Sequence, residues 1–152
     1  TRMIGALIMV HSDDYGLVLP PKIAPKQVVI IPITNDEEVI DLANKLCKTL
    51  NNNDIITYID LSDKSAGYKF AEAEVNGIPV RIEIGKRDLD NNQLTVVRRD
   101  TREKLTITKD QDILSYIKVL LDTIQREMYE RAVERRDKLT FTATNLDEME
   151  KI

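Results

Sequence analysis

The chain predicts an α/β layer fold with a mixed or parallel sheet, and three observations carry that prediction. A nearly unbroken β-branched run at residues 27–33 has the pattern of a strand covered on both faces. Apolar residues at helical spacing follow it, and an apolar run at 55–59 completes a βαβ unit. Further strand runs then alternate with helical segments, with no internal repeat or low-complexity tract. The 152 residues are enough for one domain with a proper core.

The elements follow in order. Residues 2–10 are apolar but too few for periodicity to separate a helix from a buried strand. They run into a polar turn, His11, Ser12, Asp13, Asp14, Tyr15 and Gly16, and then a proline-bounded connector to Pro25. After the strand at 27–33, Thr34-Asn35-Asp36 supplies a helix cap, and Glu37 and Glu38 put carboxylates in the first turn, where the helix dipole favours them. Val39, Ile40, Leu42, Ala43, Leu46, Cys47 and Leu50 form the apolar stripe, and the Asn-rich stretch 51–54 breaks the helix before the strand at 55–59.

A shorter helix over 68–75 stops at Asn76-Gly77. Residues 79–84 read as a third strand closed by Gly85, 93–99 as a fourth, and 104–108 as a short fifth. The stretch 110–138 is a long helix, with Ile113, Leu114, Ile117, Leu120, Leu121, Ile124, Met128 and Val133 recurring at three and four. Its last two turns are crowded with Glu and Arg and are expected to leave the core. Thr144-Asn145 caps a short acidic helix in the tail.

Composition narrows the function. The formal charge is −4, which argues against a grip on nucleic acid through bulk positive charge. No apolar run approaches the roughly 20 residues needed to span a bilayer, so no membrane partner is expected. A single cysteine, Cys47, leaves no internal disulfide and no Cys-rich zinc site, and suits a reducing, cytoplasmic setting. The five glycines form neither a dinucleotide fingerprint nor a phosphate-binding Gly-Lys-Ser/Thr loop. His11, the one histidine, reads as part of a solvated capping turn, and Cys47 as a buried small hydrophobe. Asp13 and Asp14 lack a third nearby carboxylate, so no metal site is expected.

Charge is not evenly spread. Between Pro79 and Lys109 there are eight basic and five acidic residues, so this window is +3 and the rest of the chain is −7. Basic side chains at strand ends, with Tyr68 and Phe70 just upstream, could hold phosphates while an aromatic stacks on an unpaired base. The same pattern suits a solvated strand–turn–strand surface with ordinary ion pairs.

Several motifs resemble prolyl-tRNA synthetase of the archaeal/eukaryote-type form. They are Thr1-Arg2-Met3-Ile4-Gly5-Ala6, His11-Ser12-Asp13-Asp14, the run from Gly16 to Pro25 with Gln27-Val28-Val29-Ile30, Gly67-Tyr68-Lys69-Phe70, the run from Gly77 to Gly85, Arg87-Asp88-Leu89, and Val97-Arg98-Arg99-Asp100-Thr101. The resemblance implies a mixed, mostly parallel-type sheet flanked by helices, as in class II synthetase anticodon-binding domains, followed by a long helix. Residues 1–25 would be the end of the catalytic domain and a linker, 26–109 the anticodon-binding domain, and 110–152 the long helix and start of a C-terminal extension. A chain that opens with Thr1 inside an apolar segment is then expected to be cut from a longer enzyme. The resemblance implies that this parent would be a homodimer joining proline to tRNA(Pro) with ATP and Mg; the piece itself would need no cofactor and would be inactive alone.

The resemblance also implies a site. Phe70 would stack on a base, Glu74 would accept from a guanine edge, and Arg81 would sit alongside. Arg87 and Asp88 would approach a second guanine, Lys104 or Arg99 would hold the RNA backbone, and Arg2 would contact ATP in the parent. Ala73 stands where the family often carries an aromatic between Glu72 and Glu74. The chemistry agrees, because guanine presents N1–H and N2–H₂ donors that a carboxylate accepts in pairs. Glu74, four residues after Phe70, shares its helix face, and Arg81 and Glu83 share a strand face. The alternatives are the corresponding domain of a threonyl, glycyl or histidyl synthetase, and an α/β interaction domain that binds no RNA.

Overall fold

The computed structural model of the chain describes residues 1–146 and 150. Along them run α1 (Arg2–His11), β1 (Val28–Pro32), α2 (Glu37–Asn51), β2 (Thr57–Ile59), α3 (Ala66–Val75), β3 (Val80–Ile84), α4 (Lys86–Asp90), β4 (Gln93–Arg98), β5 (Lys104–Thr108) and α5 (Ile113–Leu139). The strands form one five-stranded sheet in the order β2-β1-β3-β4-β5. It is mixed, as expected. β1 pairs in parallel with β2 and β3, whereas β3–β4 and β4–β5 are antiparallel, so the parallel character is confined to one half. Connection length explains the division. The α2 and α3 segments supply the long crossovers that a parallel return requires, and the links at 85–92 and 99–103 are too short for one.

β1 and β3 are buried along their whole length. Alternation splits their side chains between two layers. Val28, Ile30, Val80, Ile82, Ile84, Leu94 and Val96 face the larger core, closed by Val39, Ala43, Leu46 and Leu50 of α2 and by Ile117, Leu120, Leu121, Ile124 and Met128 of α5. Val29 and Ile31 face the other way, against Ala73, Ile78 and Phe70. At about 1.5–3 kcal/mol per fully buried Val, Leu or Ile, the α2–α5 layer carries most of the burial. On the α3 side the sheet is covered near β1 and open farther out, where Thr95 is half-buried and Lys104 and Thr106 are exposed.

The segment 2–10, left open between helix and strand by its sequence, is a helix. Other expectations needed correction. Between β3 and β4 lies not a plain turn but the short helix α4, with Gly85 as its N-cap, and five residues are too few for a helical period to show. The expected strand at 55–59 pairs only from Thr57, because Gln27 occupies Ile56 instead: its amide donates to the Ile56 carbonyl and its side-chain oxygen accepts the Ile56 amide. α3 begins two residues earlier than expected, at Ala66, with the Ser65 hydroxyl accepting the Tyr68 amide. The acidic helix expected after Thr144-Asn145 lies largely outside the described residues. Among the described residues, no helix is long and apolar enough to cross a membrane.

Three guanidinium groups fix the β4–β5 hairpin. Arg98 bonds Asp100 through two nitrogens, at 3.0 and 2.8 Å, and also reaches Glu127, while Arg131 of α5 bonds the same Asp100. Burial alone would raise the Asp100 carboxyl, and the hydrogen bonds from Arg98 and Arg131 outweigh it, so its pKa lies below the ordinary value. Arg99 grips both oxygens of Asp13, at 2.8 and 2.6 Å, tying the linker turn to the hairpin. That turn lies hard against α3. Gly16 has φ +132°, and a Cβ there would stand 2.5 Å from the Val75 Cα.

Candidate nucleic-acid interface

The open part of the sheet is crossed by two rungs. Arg81 of β3 lies beside Val97 of β4, which lies beside Lys104 of β5; Glu83, Thr95 and Thr106 make the next rung. Strand alternation therefore sends Arg81, Glu83 and Lys104 out on one face. α3 borders this face, and its period brings Phe70 and Glu74 to the same edge.

Arg81 is the hub. Its Nε donates to Glu83 Oε1 at 2.9 Å, and its Nη1 donates to Glu74 Oε1 at 3.2 Å and to the Phe70 carbonyl at 3.3 Å. Its guanidinium stands 4.5 Å from the Phe70 ring centroid, within cation–π range. The side chains of Arg81 and Glu83 are each only 7% exposed, whereas Glu74 keeps 21%. Lys104, at 63% exposure, stands 3.8 Å from Glu83 Oε2. Arg102 completes the cluster, 3.6 Å from Glu74 Oε2 and stacked 3.7 Å from the Tyr15 ring centroid. Three cations and two carboxylates thus meet on one surface, leaving a local excess of one positive charge.

The expected site residues divide. Phe70, Glu74, Arg81 and Lys104 come together here. Arg87 and Asp88 lie on α4, past the end of β3, and among the described residues neither has a hydrogen bond or ion pair to the cluster. Arg87 is exposed, and the Asp88 carboxylate lies against Gly85. Arg99 departs from the expected role of holding RNA backbone. Its side chain is 2% exposed, spent on Asp13 and on the Glu74 carbonyl at 2.9 Å, so it positions α3 and is not free to reach a phosphate. Arg2 is at the exposed start of α1, outside this face.

Three neighbours of the cluster were not among the expected site residues. Glu83 had a signal, its strand alternation with Arg81. Arg102 and Tyr15 had none that links them, since they meet only because the linker turn folds against the hairpin. Arg102 occupies the left-handed region at φ 60°, a backbone state set by the tight β4–β5 turn.

The other candidates settle into structural surroundings. His11 closes α1, and burial together with the Arg131 charge lowers its pKa. Burial pushes the Cys47 thiol up, partly offset by a hydrogen bond from Asn51. Among the described residues, no group of three or more His, Cys, Asp or Glu gathers to hold a metal ion. The surface thus presents one partly exposed carboxylate, Glu74, beside an aromatic ring, with exposed cations, Lys104 and Arg102, at its rim.

Known proteins resemble this chain along nearly its whole length. A family model described as "Anticodon binding domain" matches residues 27–120. Among curated relatives, a protein named "Proline--tRNA ligase" from Lachnospira eligens is 50% identical over 149 residues, covering 97% of this chain and 31% of its own length. Its namesakes from Clostridium novyi and Chlorobaculum tepidum are 49% and 51% identical, over 100% and 97% of this chain and 32% and 31% of theirs. The chain therefore spans about a third of the length of these relatives.

Proposed function

We propose, from the premise that this chain belongs to the anticodon binding domain family, that it is the tRNA-reading part of a proline–tRNA ligase of the archaeal/eukaryote-type form. The observation that carries the reading is the Arg81-centred cluster, which lies inside the matched residues and joins Phe70 to two carboxylates on an open sheet face. In this reading the anticodon loop of tRNA(Pro) lies over β3–β5. Phe70 stacks on one base, and Glu74 accepts from the N1–H and N2–H₂ edge of a guanine. Arg81 holds Glu74 in place by its hydrogen bond, so the carboxylate is oriented before the RNA arrives. Arg87 and Asp88 approach the second guanine from α4, and Lys104, the exposed cation of the rung, meets the backbone.

The parent enzyme, a cytoplasmic homodimer in this reading, joins proline to its tRNA with ATP and Mg. Residues 1–25 end its catalytic domain, 26–109 bind the anticodon, and 110–152 open a C-terminal extension. Of the ATP site this chain would supply only Arg2, so the bond-forming chemistry belongs to the rest of the parent and this piece contributes selection of the tRNA.

Fluorescence anisotropy at fixed salt tests the proposal. Anticodon stem-loops carrying both guanines should bind more tightly than loops with adenine in their place, by about 5- to 150-fold, the range that 1–3 kcal/mol of base discrimination gives. Equal affinities would reject it.

A further inference from the structure

α3 has a second flank. Lys69, Glu72, Ala73 and Asn76 recur at three and four along it, and they face a cavity of about 170 Å³ toward the β1–β2 side of the sheet. Such a volume is large beside the roughly 10–15 Å³ that admits one water, so a multi-atom ligand fits.

The lining is basic and held in place. Lys69 is 7% exposed, and among the described residues its ammonium makes one hydrogen bond, to the Asp60 carbonyl at 3.2 Å, leaving donors to spare. The Lys26 ammonium sits 4.1 Å from the Tyr58 ring centroid and the Lys64 ammonium 4.7 Å from that of Tyr68, so both are placed without spending a hydrogen bond on the ring. The carboxylates do not favour a cation here. Asp60 already accepts both the amide and the hydroxyl of Ser62 on one oxygen, and Glu72 is paired to Lys64 at 2.9 Å. Three ammonium groups against two engaged carboxylates leave a net positive, donor-rich hollow.

We propose that this cavity binds a phosphate group. The proposal rests on the anticodon-domain reading only for its expected source, a phosphodiester of RNA whose bases lie on the other flank of α3. Free phosphate has the same chemistry, and the test separates the two. The chain is labelled with ¹⁵N and titrated with inorganic phosphate at constant ionic strength, following the Ser62 and Lys69 amides. In parallel, Lys69→Met and Lys26→Ala are compared with the wild type for binding guanine-bearing and adenine-substituted anticodon stem-loops across a salt series. Lys26 is exposed, so its variant keeps the test open should Lys69→Met fail to fold.

A backbone phosphate predicts that both variants weaken both loops alike, by about fivefold or more, and reduce the slope of log affinity on log salt by about 0.7–1. Saturable amide shifts with phosphate, together with unchanged RNA binding, would support the cavity as a free-phosphate site. Absence of both responses overturns it. Should phosphate bind while the two loops show equal affinity for the wild type, the cavity stands and the guanine-reading function falls.

Discussion

Removing Arg81 should expose how the cluster is held. In Arg81→Leu, Glu83, whose side chain is 7% exposed in the wild type, loses its 2.9 Å partner, with Lys104 at 3.8 Å as the remaining cation. Glu74 loses a 3.2 Å bond but stays partly solvated. Breaking one side of a buried pair costs about 3–5 kcal/mol, and the residual Lys104 contact places this variant near the lower figure. For a chain of this length that is a fall in Tm of roughly 6–12 °C, at about 2–4 °C per kcal/mol. Urea and thermal unfolding at neutral pH, followed by circular dichroism, measure it. The double variant Arg81→Leu/Glu83→Leu should recover more than half of the loss, because the stranded charge goes with its partner. A single-variant loss under about 1 kcal/mol, the range of surface pairs, would refute the buried-hub reasoning.

Further outcomes follow from other ties. Asp100 has its pKa lowered on folding, so its stabilisation is complete above the ordinary value of 3.8 and is lost as pH falls through the lower folded value. Acid unfolding curves should therefore steepen below about pH 4, and Asp100→Asn should flatten that slope while destabilising the chain at neutral pH. Gly16→Ala combines a left-handed φ with a Cβ 2.5 Å from Val75 backbone, and a urea midpoint shift worth about 2 kcal/mol or more is expected. The thiol of Cys47, raised by burial, should react with a disulfide reagent at pH 7.5 more slowly than a free cysteine.

The sheet was readable where burial is two-sided or alternation is strict. β1 shows as a continuous apolar run because α2 and α3 cover both of its faces, and Arg81 and Glu83 fall on one face by strand period alone. Where the structure departs, tertiary contacts decide. Ile56 is apolar yet lies outside β2, because Gln27 from 29 residues away takes its amide. Arg99 looks like a surface cation in a basic window, and only the fold brings Asp13, 86 residues earlier, to neutralise and bury it. α4 hides in Lys-Arg-Asp-Leu-Asp, too short to show a period. The net charge of −4 also conceals the site, since its Arg and Lys side chains are interleaved with the carboxylates they orient.

The central claim is that Glu74, held by Arg81, reads guanine. Affinities of the wild type and Glu74→Ala for stem-loops bearing guanine or inosine, which lacks the N2 amino group, test it most directly. The wild type should prefer guanine, and Glu74→Ala should lose that preference, weakening the guanine loop far more than the inosine loop. An equal loss for both loops would contradict it.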